Sequence, residues 1–341
     1  MQYARSVSIA SLVWLGACSG TGTLPAAAPS TIAPAISAPH RYKIGVFVRG
    51  NAKWYNPDPI VSQKGSVFVA YQNATQPTGT GGKSDIVEYD QSGHVVRFIG
   101  VKGRCDGMRW NPDTNLMWIT VNEDANGSMF TWDPASGSVK HYAFSSAKHG
   151  GGYDDLAFAN NTPFIAASNP KLDSHGINKG PAVVSVVLKG STAEVTPVLM
   201  GDAEATDIPT GQKVRLNLTD PDSMTVAPNG DVLLVSQADE ELVWIHDAGK
   251  SSQSVSRLLV GTELDDTVYA TQSAGSLYVV DAKKNAVFLV QGRMHSGALY
   301  TEAPSDSGVH SFVGTVNPTT GAIKPDITGF GSPTGLIFVP T

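Results

Sequence analysis

The sequence predicts an all-β domain whose short strands repeat as six four-stranded units closed into a ring, a six-bladed β-propeller. Three observations predict it. The 341 residues are 41% hydrophobic and 16% charged, with 35 Gly and 21 Pro spread along the chain, as many short strands joined by turns require. One pattern recurs six times: an Asp (or Thr), apolar or small residues two and four places on, a turn, and a second apolar strand. The spacing from copy to copy is 48 (58 to 106), 48 (106 to 154), 68 (154 to 222), 44 (222 to 266) and 68 (266 to 334), against the roughly 40–50 residues of a propeller blade.

The clearest copy is Pro221-Asp222-Ser223-Met224-Thr225-Val226, followed by the turn Pro228-Asn229-Gly230 and the strand Val232–Ser236. Met108 and Trp110, Leu156 and Phe158, Met224 and Val226, Leu336 and Phe338 fall two and four places after the first residue of their copies. That is the period of a strand with one buried face. The first copy starts at Asp58 and carries Ile60 but Ser62. In the fifth, Asp265 or Asp266 can hold the first position, and Val268 favours Asp266. Its next strands are expected at Ser276–Val280 and Val287–Val290. The sixth copy starts at Thr334 and stops after one strand. The N-terminal strand near Ile44–Val48 is expected to complete that blade and protect its edges. The two long intervals carry insertions, one over 201–219 and one within 291–329.

The chain begins with Arg5, a short apolar run Val7–Leu15, and Leu15-Gly16-Ala17-Cys18. This resembles the bacterial lipoprotein signal, which implies cleavage before Cys18 and acylation of its thiol. A secretory signal cut nearby is the other reading. The apolar run is shorter than the ~20 residues of a spanning helix. The expected organisation is a signal over 1–17, a flexible Ser/Thr/Ala/Pro/Gly tether over 18–40 and one domain over 41–341. It places the protein in the bacterial cell envelope, on the periplasmic or extracellular face, with membrane contact through the lipid only. Cys105 is the one other cysteine; with Cys18 lipidated, the fold rests on packing without a disulfide. The net charge of −6 without a basic cluster gives no footprint for nucleic acid.

In a ring of such units the first positions meet at one axis. Asp58, Asp106, Asp154, Asp222 and Asp266 are therefore expected around a single opening, with Thr334. Crowded carboxylates repel by ~1–4 kcal/mol per close pair. They respond by taking up protons or by binding a hard divalent cation such as Ca²⁺ or Mg²⁺. An Asp at a strand start also caps backbone N–H groups without further chemistry, so both readings stand. His149, beside Gly150-Gly151-Gly152, and His175, in Asp173-Ser174-His175-Gly176, are pocket candidates as proton shuttles or plain surface histidines, and His310 reads the same way. Asp124-Ala125-Asn126-Gly127 lacks the distal Glu of a calcium loop and reads as a turn. No Gly-x-Ser-x-Gly elbow, His-Glu-x-x-His, phosphate loop or dinucleotide fingerprint occurs.

Pro221-Asp222-Ser223-Met224 with its Pro228-Asn229-Gly230 turn, and Asp106-Gly107-Met108 with Asp133-Pro134 and Gly137, resemble the gluconolactonase and senescence-marker-protein (regucalcin) family of six-bladed propellers. The repeat pattern covers most of residues 56–341, through short motifs that other propellers share. The resemblance implies a divalent metal, with Ca²⁺ the expected ion, held at the inner-strand starts. It implies an Asp that acts as general base in lactone hydrolysis, which falls on Asp222. Asp58 stands where the family has a Glu, Asp154 where it has an Asn, and Ser223 where it has a Gly. The expected function is metal-dependent hydrolysis of a small-molecule lactone or related ester. The alternative is a non-catalytic propeller lipoprotein that binds a protein or ligand through its loops.

Overall fold

The computed structural model describes residues 35–145, 149–305 and 310–341, and within them the regular structure is entirely β. The first strand, β1, is Tyr42–Arg49. A sheet follows of β2 (Pro57–Gln63), β3 (Ser66–Tyr71), β4 (Lys83–Tyr89) and β5 (Val95–Lys102), paired in chain order. The next four strands are β6 (Cys105–Trp110), β7 (Met117–Val121), β8 (Ser128–Asp133) and β9 (Ser138–Phe144). They share an eight-stranded sheet with β10 (Leu156–Ala159), β11 (Thr162–Ala166), β12 (Pro181–Lys189) and β13 (Thr192–Met200). The two halves meet edge to edge where β13 runs parallel to β9, Thr192 opposite Ala143.

The expected insertion over 201–219 contains a hairpin, β14 (Glu204–Asp207) and β15 (Lys213–Arg215). It extends the sheet of β16 (Pro221–Val226), β17 (Val232–Ser236), β18 (Glu241–His246) and β19 (Ser254–Leu259) beyond β19. The last strands are β20 (Thr267–Tyr269), β21 (Ala274–Asp281), β22 (Ala286–Arg293), β23 (Leu299–Ala303), β24 (Phe312–Val316), β25 (Ile323–Thr328) and β26 (Pro333–Pro340).

Here the expected strand order is corrected. β20 pairs with β23, not with β21, in the sheet β20-β23-β24-β25. The hairpin β21–β22 crosses to the neighbouring sheet, ordered β1-β22-β21-β26. Length explains the choice. β26 pairs with β21 from Gly275↔Pro340 to Asp281↔Pro333, whereas β20 has three residues and meets Leu299–Thr301. The long interval between the fifth and sixth copies thus holds a hairpin lent to the next sheet.

The sheets pack face to face in a propeller-like arrangement. Phe68 and Ile86 of one sheet share a cluster with Met108, Ile119 and Trp132 of the next. The edge-to-face contacts of Phe68 with Trp110 and Trp132 lie in that layer, so these indoles are core, as their strand pattern predicts. The strands that open the six copies touch in a closed cycle: β2 with β6, β6 with β10, β10 with β16, β16 with β20, β20 with β26 and β26 with β2. Residues 35–40, the described end of the segment expected as a tether, lie against the domain. Ser37 pairs with Thr328 through two 2.9 Å backbone hydrogen bonds, and Ile36 and Ala38 pack on an apolar cluster. Cys18 lies outside the described residues.

Candidate functional site

At the start of β2, β6 and β16 the pairing register slips, between Pro57 and Ile60, Cys105 and Gly107, and Pro221 and Met224. Such a bulge re-aims a side chain that would otherwise alternate with its neighbours. Asp58, Asp106 and Asp222 turn inward as a result. They line a cavity of about 220 Å³ together with Arg104, Glu123, Asp154, Asp155, Asp265, Asp266 and Thr334. Gly107 follows Asp106 because a Cβ there would stand 2.6 Å from Asp155 Cα and 2.9 Å from Asp154 O.

The carboxylates divide by sequence position. In the third copy Asp154 N donates to Ala166 O, and Ala166 N donates to Asp155 O. In the fifth, Asp265 N donates to Glu302 O, and Glu302 N donates to Asp266 O. The identical pattern places Asp265, not Asp266, at the position of Asp154. Thr267 then takes the buried place of Leu156. Asp155 and Asp266 hold the following position and serve the next inner strand: Asp155 Oδ2 accepts from Met224 N at 3.1 Å and Asp266 Oδ2 from Leu336 N at 2.9 Å. Asp155 is also paired with Arg109 at 2.6 Å. Burial nevertheless pushes its carboxyl up to about 7, against the pull of Arg109.

The first-position carboxyls have fewer compensating charges. Burial raises Asp58, Asp106, Asp154, Asp222 and Asp265 well above the usual carboxylate range. Repulsion adds to it: Asp222 raises Asp154 and Asp265, and Glu123 raises Asp106. On one side the charges are met. Gln72 Nε2 donates to Asp58 Oδ2 at 3.1 Å and to Asp106 Oδ1 at 3.2 Å. Arg104 stands 3.2 Å from Asp106 and 3.3 Å from Glu123. On the other side the carboxyls of Asp154 and Asp222 face each other within hydrogen-bonding reach, and Asp222 Oδ2 is buried with no donor among the described residues. Glu123, Asp154 and Asp222 offer carboxylate oxygens within 4.8 Å of one another.

Sequence reading missed Glu123, Gln72 and Arg104. Glu123 and Gln72 follow second strands, whose loops open on the same face. Asn122 sits at a φ of 69°, a left-handed conformation Asn tolerates. Its side-chain oxygen accepts from Arg104 N at 3.0 Å, and the turn brings Glu123 N to within 3.2 Å of Asp106 Oδ2. Neither histidine candidate lines the central cavity. His149 is buried beside another cavity, its Nε2 2.6 Å from Gly152 O. His175 is exposed on a turn, its backbone N bound to Asp173 Oδ1 at 2.7 Å. Thr334 lines the central cavity, and its hydroxyl reaches Pro57 O at 3.4 Å.

No protein-family profile matches the chain, and no curated protein matches it. Among solved structures it is similar to a protein of unknown function from Bacteroides caccae, at 10% identity and a TM-score of 0.50 over 84% of this chain and 87% of that one. That similarity concerns the fold. Weaker overlays include a candidate 6-phosphogluconolactonase from Bacteroides uniformis, at 11% identity and a TM-score of 0.48 over 85% of this chain and 90% of that one. A candidate gluconolactonase overlays at 11% identity and 0.47, over 87% and 84%. At these values neither overlay bears on chemistry.

Proposed function

We propose that the chain is a divalent-cation-dependent hydrolase of lactones or related esters, acting at the central cavity of a six-bladed propeller closed by β1. The reading rests on one observation: Glu123, Asp154 and Asp222 bring carboxylate oxygens within 4.8 Å of one another at the central cavity, where Asp222 Oδ2 has no hydrogen-bond donor among the described residues. The donor set fits a hard ion, because it is all oxygen and anionic, and because the raised carboxyls of Asp154 and Asp222, this close, need either protons or a cation. Glu123, Asp154 and Asp222 would hold the ion, with Asp265 beside them, and Ca²⁺ suits such a set. When bound, a divalent ion polarises a carbonyl and lowers the pKa of water.

The protein's own groups supply the rest. Asp222 is the base: the carboxylate oxygen it does not give to the ion would accept the proton of an attacking water. Arg104, fixed by Asp106 and Glu123, presents the cavity's guanidinium to an oxygen of the substrate. Asp155 and Asp266 hold successive inner strands in register, which fixes where Asp154 and Asp265 point. The test is Asp222→Asn. It is expected to lower turnover of a lactone panel by ~10²–10⁴, with unchanged far-UV circular dichroism and one divalent ion per wild-type chain by elemental analysis. A wild-type protein that binds the ion and turns over no member of the panel is a binding protein instead.

We also propose, from Leu15-Gly16-Ala17-Cys18 alone, that the chain is lipid-anchored in the bacterial envelope. Labelled palmitate should enter the protein in cells and be lost in Cys18→Ser; equal labelling of both ends the proposal.

A further inference from the structure

We propose that Ser256, His246 and Asp231 form a second hydrolytic site, for small carboxylic esters with an apolar body, independent of the acidic cavity. His246 Nδ1 lies 2.6 Å from Asp231 Oδ2, and His246 Nε2 lies 2.9 Å from Ser256 Oγ. The three side chains come from different strands or turns of one sheet. Asp231 precedes β17 and is held within its turn by Asn229, whose Nδ2 donates to Asp231 Oδ2 at 2.7 Å and whose Oδ1 accepts from Asp231 N at 3.2 Å. His246 ends β18 opposite Ser254, and Ser256 stands opposite Trp244. Ser256 is therefore the diagonal neighbour of His246 on the same sheet face. No local motif signals this constellation, because it is assembled by pairing register.

The three groups line a cavity of about 390 Å³ whose other walls include Ile208, Trp244, Tyr269 and Pro318. It shares no lining residue with the acidic cavity. The apolar walls suit an uncharged acyl or aryl body. Trp244 Nε1 donates to the Tyr269 hydroxyl at 3.2 Å. That oxygen accepts from the indole, so its own hydrogen remains to donate to a developing oxyanion.

The chemistry follows from the bonds. With Nδ1–H donated to Asp231, Nε2 is the basic nitrogen of His246 and accepts the Ser256 hydroxyl hydrogen. Ser256 Oγ bonds to the ester carbonyl carbon as its proton passes to Nε2. The C–O bond to the alcohol then breaks, and the alcohol leaves with that proton. Water, activated by the same nitrogen, cleaves the acyl-serine ester, releasing the acid and restoring Ser256. Nothing is oxidised or reduced. Ser256 and His246 are catalytic residues; Asp231 positions the ring.

The test is covalent labelling of the full chain by an alkyl fluorophosphonate, with chelator present so that the central cavity's cation chemistry is silent. The expected result is one adduct, mapped to the peptide holding Ser256, forming about a hundredfold more slowly in His246→Ala. Asp231→Asn should slow labelling while leaving the half-saturating probe concentration unchanged, a split that a purely structural role does not produce. Hydrolysis of 4-nitrophenyl butyrate in chelator should disappear in Ser256→Ala. A folded wild-type chain that takes no label at Ser256 overturns the proposal, as does labelling of His246→Ala, or of His246→Gln where the alanine variant unfolds, at the wild-type rate. Neither result touches the cation-dependent reading, which is measured with the ion present.

Discussion

Asp154 and Asp155 are adjacent in the chain and opposite in their surroundings. Asp155 accepts a backbone N–H from the next inner strand and pairs with Arg109. Asp154 meets the like charges of Asp222, Glu123 and Asp106. Asp265 and Asp266 repeat the division: Asp266 accepts from Leu336 N, and Asp265 is raised by burial and by Asp222 and Asp58. The lesson is that the aspartates at the strand starts play two parts. One ties blade to blade, and the other concentrates charge that only protons or a cation relieve.

The largest expected break of that comparison is Asp155→Ala. It leaves the Arg109 guanidinium and Met224 N without their carboxylate, and removing one partner of a buried pair costs about 3–5 kcal/mol. Asp154→Asn removes a repelled charge and no ion pair, so without added cation it should melt at or above the wild type at pH 7. Urea denaturation of both variants checks the contrast. Equal losses in the two mean that both aspartates are structural.

Next comes pH. The folded carboxyls of Asp154, Asp222 and Asp265 lie above their unfolded values near 3.9, so the folded chain binds more protons than the unfolded one above about pH 4. Stability is then lost as pH rises through the raised values. Asp155, pushed up to about 7, keeps that loss in progress to neutrality. In chelator the melting temperature should fall between pH 5 and pH 8. Calcium should restore stability most at pH 8, by about 2.7 kcal/mol at a hundred times the dissociation constant. A calcium effect of the same size at pH 5 and pH 8 contradicts a site built from these carboxyls.

Much of this architecture was legible in the sequence, for reasons visible in particular residues. Met108, Leu156, Met224 and Leu336 mark the buried face two places after the first position, and the period of a strand made them recognisable. The fifth copy misled because Thr267 takes the buried place that Val268 offered on hydropathy; Asp266 was preferred where Asp265 stands with Asp154. Glu123 was hidden because its position depends on Asn122 adopting a positive φ, which composition does not reveal. The crossing of β21–β22 was hidden because an alternating strand does not name its partner. Only the length match with β26 selects it.

The smallest expected effect sharpens the comparison at the copy that departs from it. Ser223 stands at the second position, where the third and fifth copies have Asp155 and Asp266. Its hydroxyl donates to Asp265 O at 2.6 Å, so it ties the fourth inner strand to the fifth as a donor and adds no charge. Ser223→Ala leaves that carbonyl unpaired and should cost about 1 kcal/mol, read as a shift of the denaturation midpoint at constant slope. The cation affinity, measured by calorimetry on the same variant, should stay within a factor of two, because the first-position carboxyls keep their places. An affinity that falls tenfold instead means that the second position shapes the ion site as well as the fold. The first and second positions would then act as one cooperative unit.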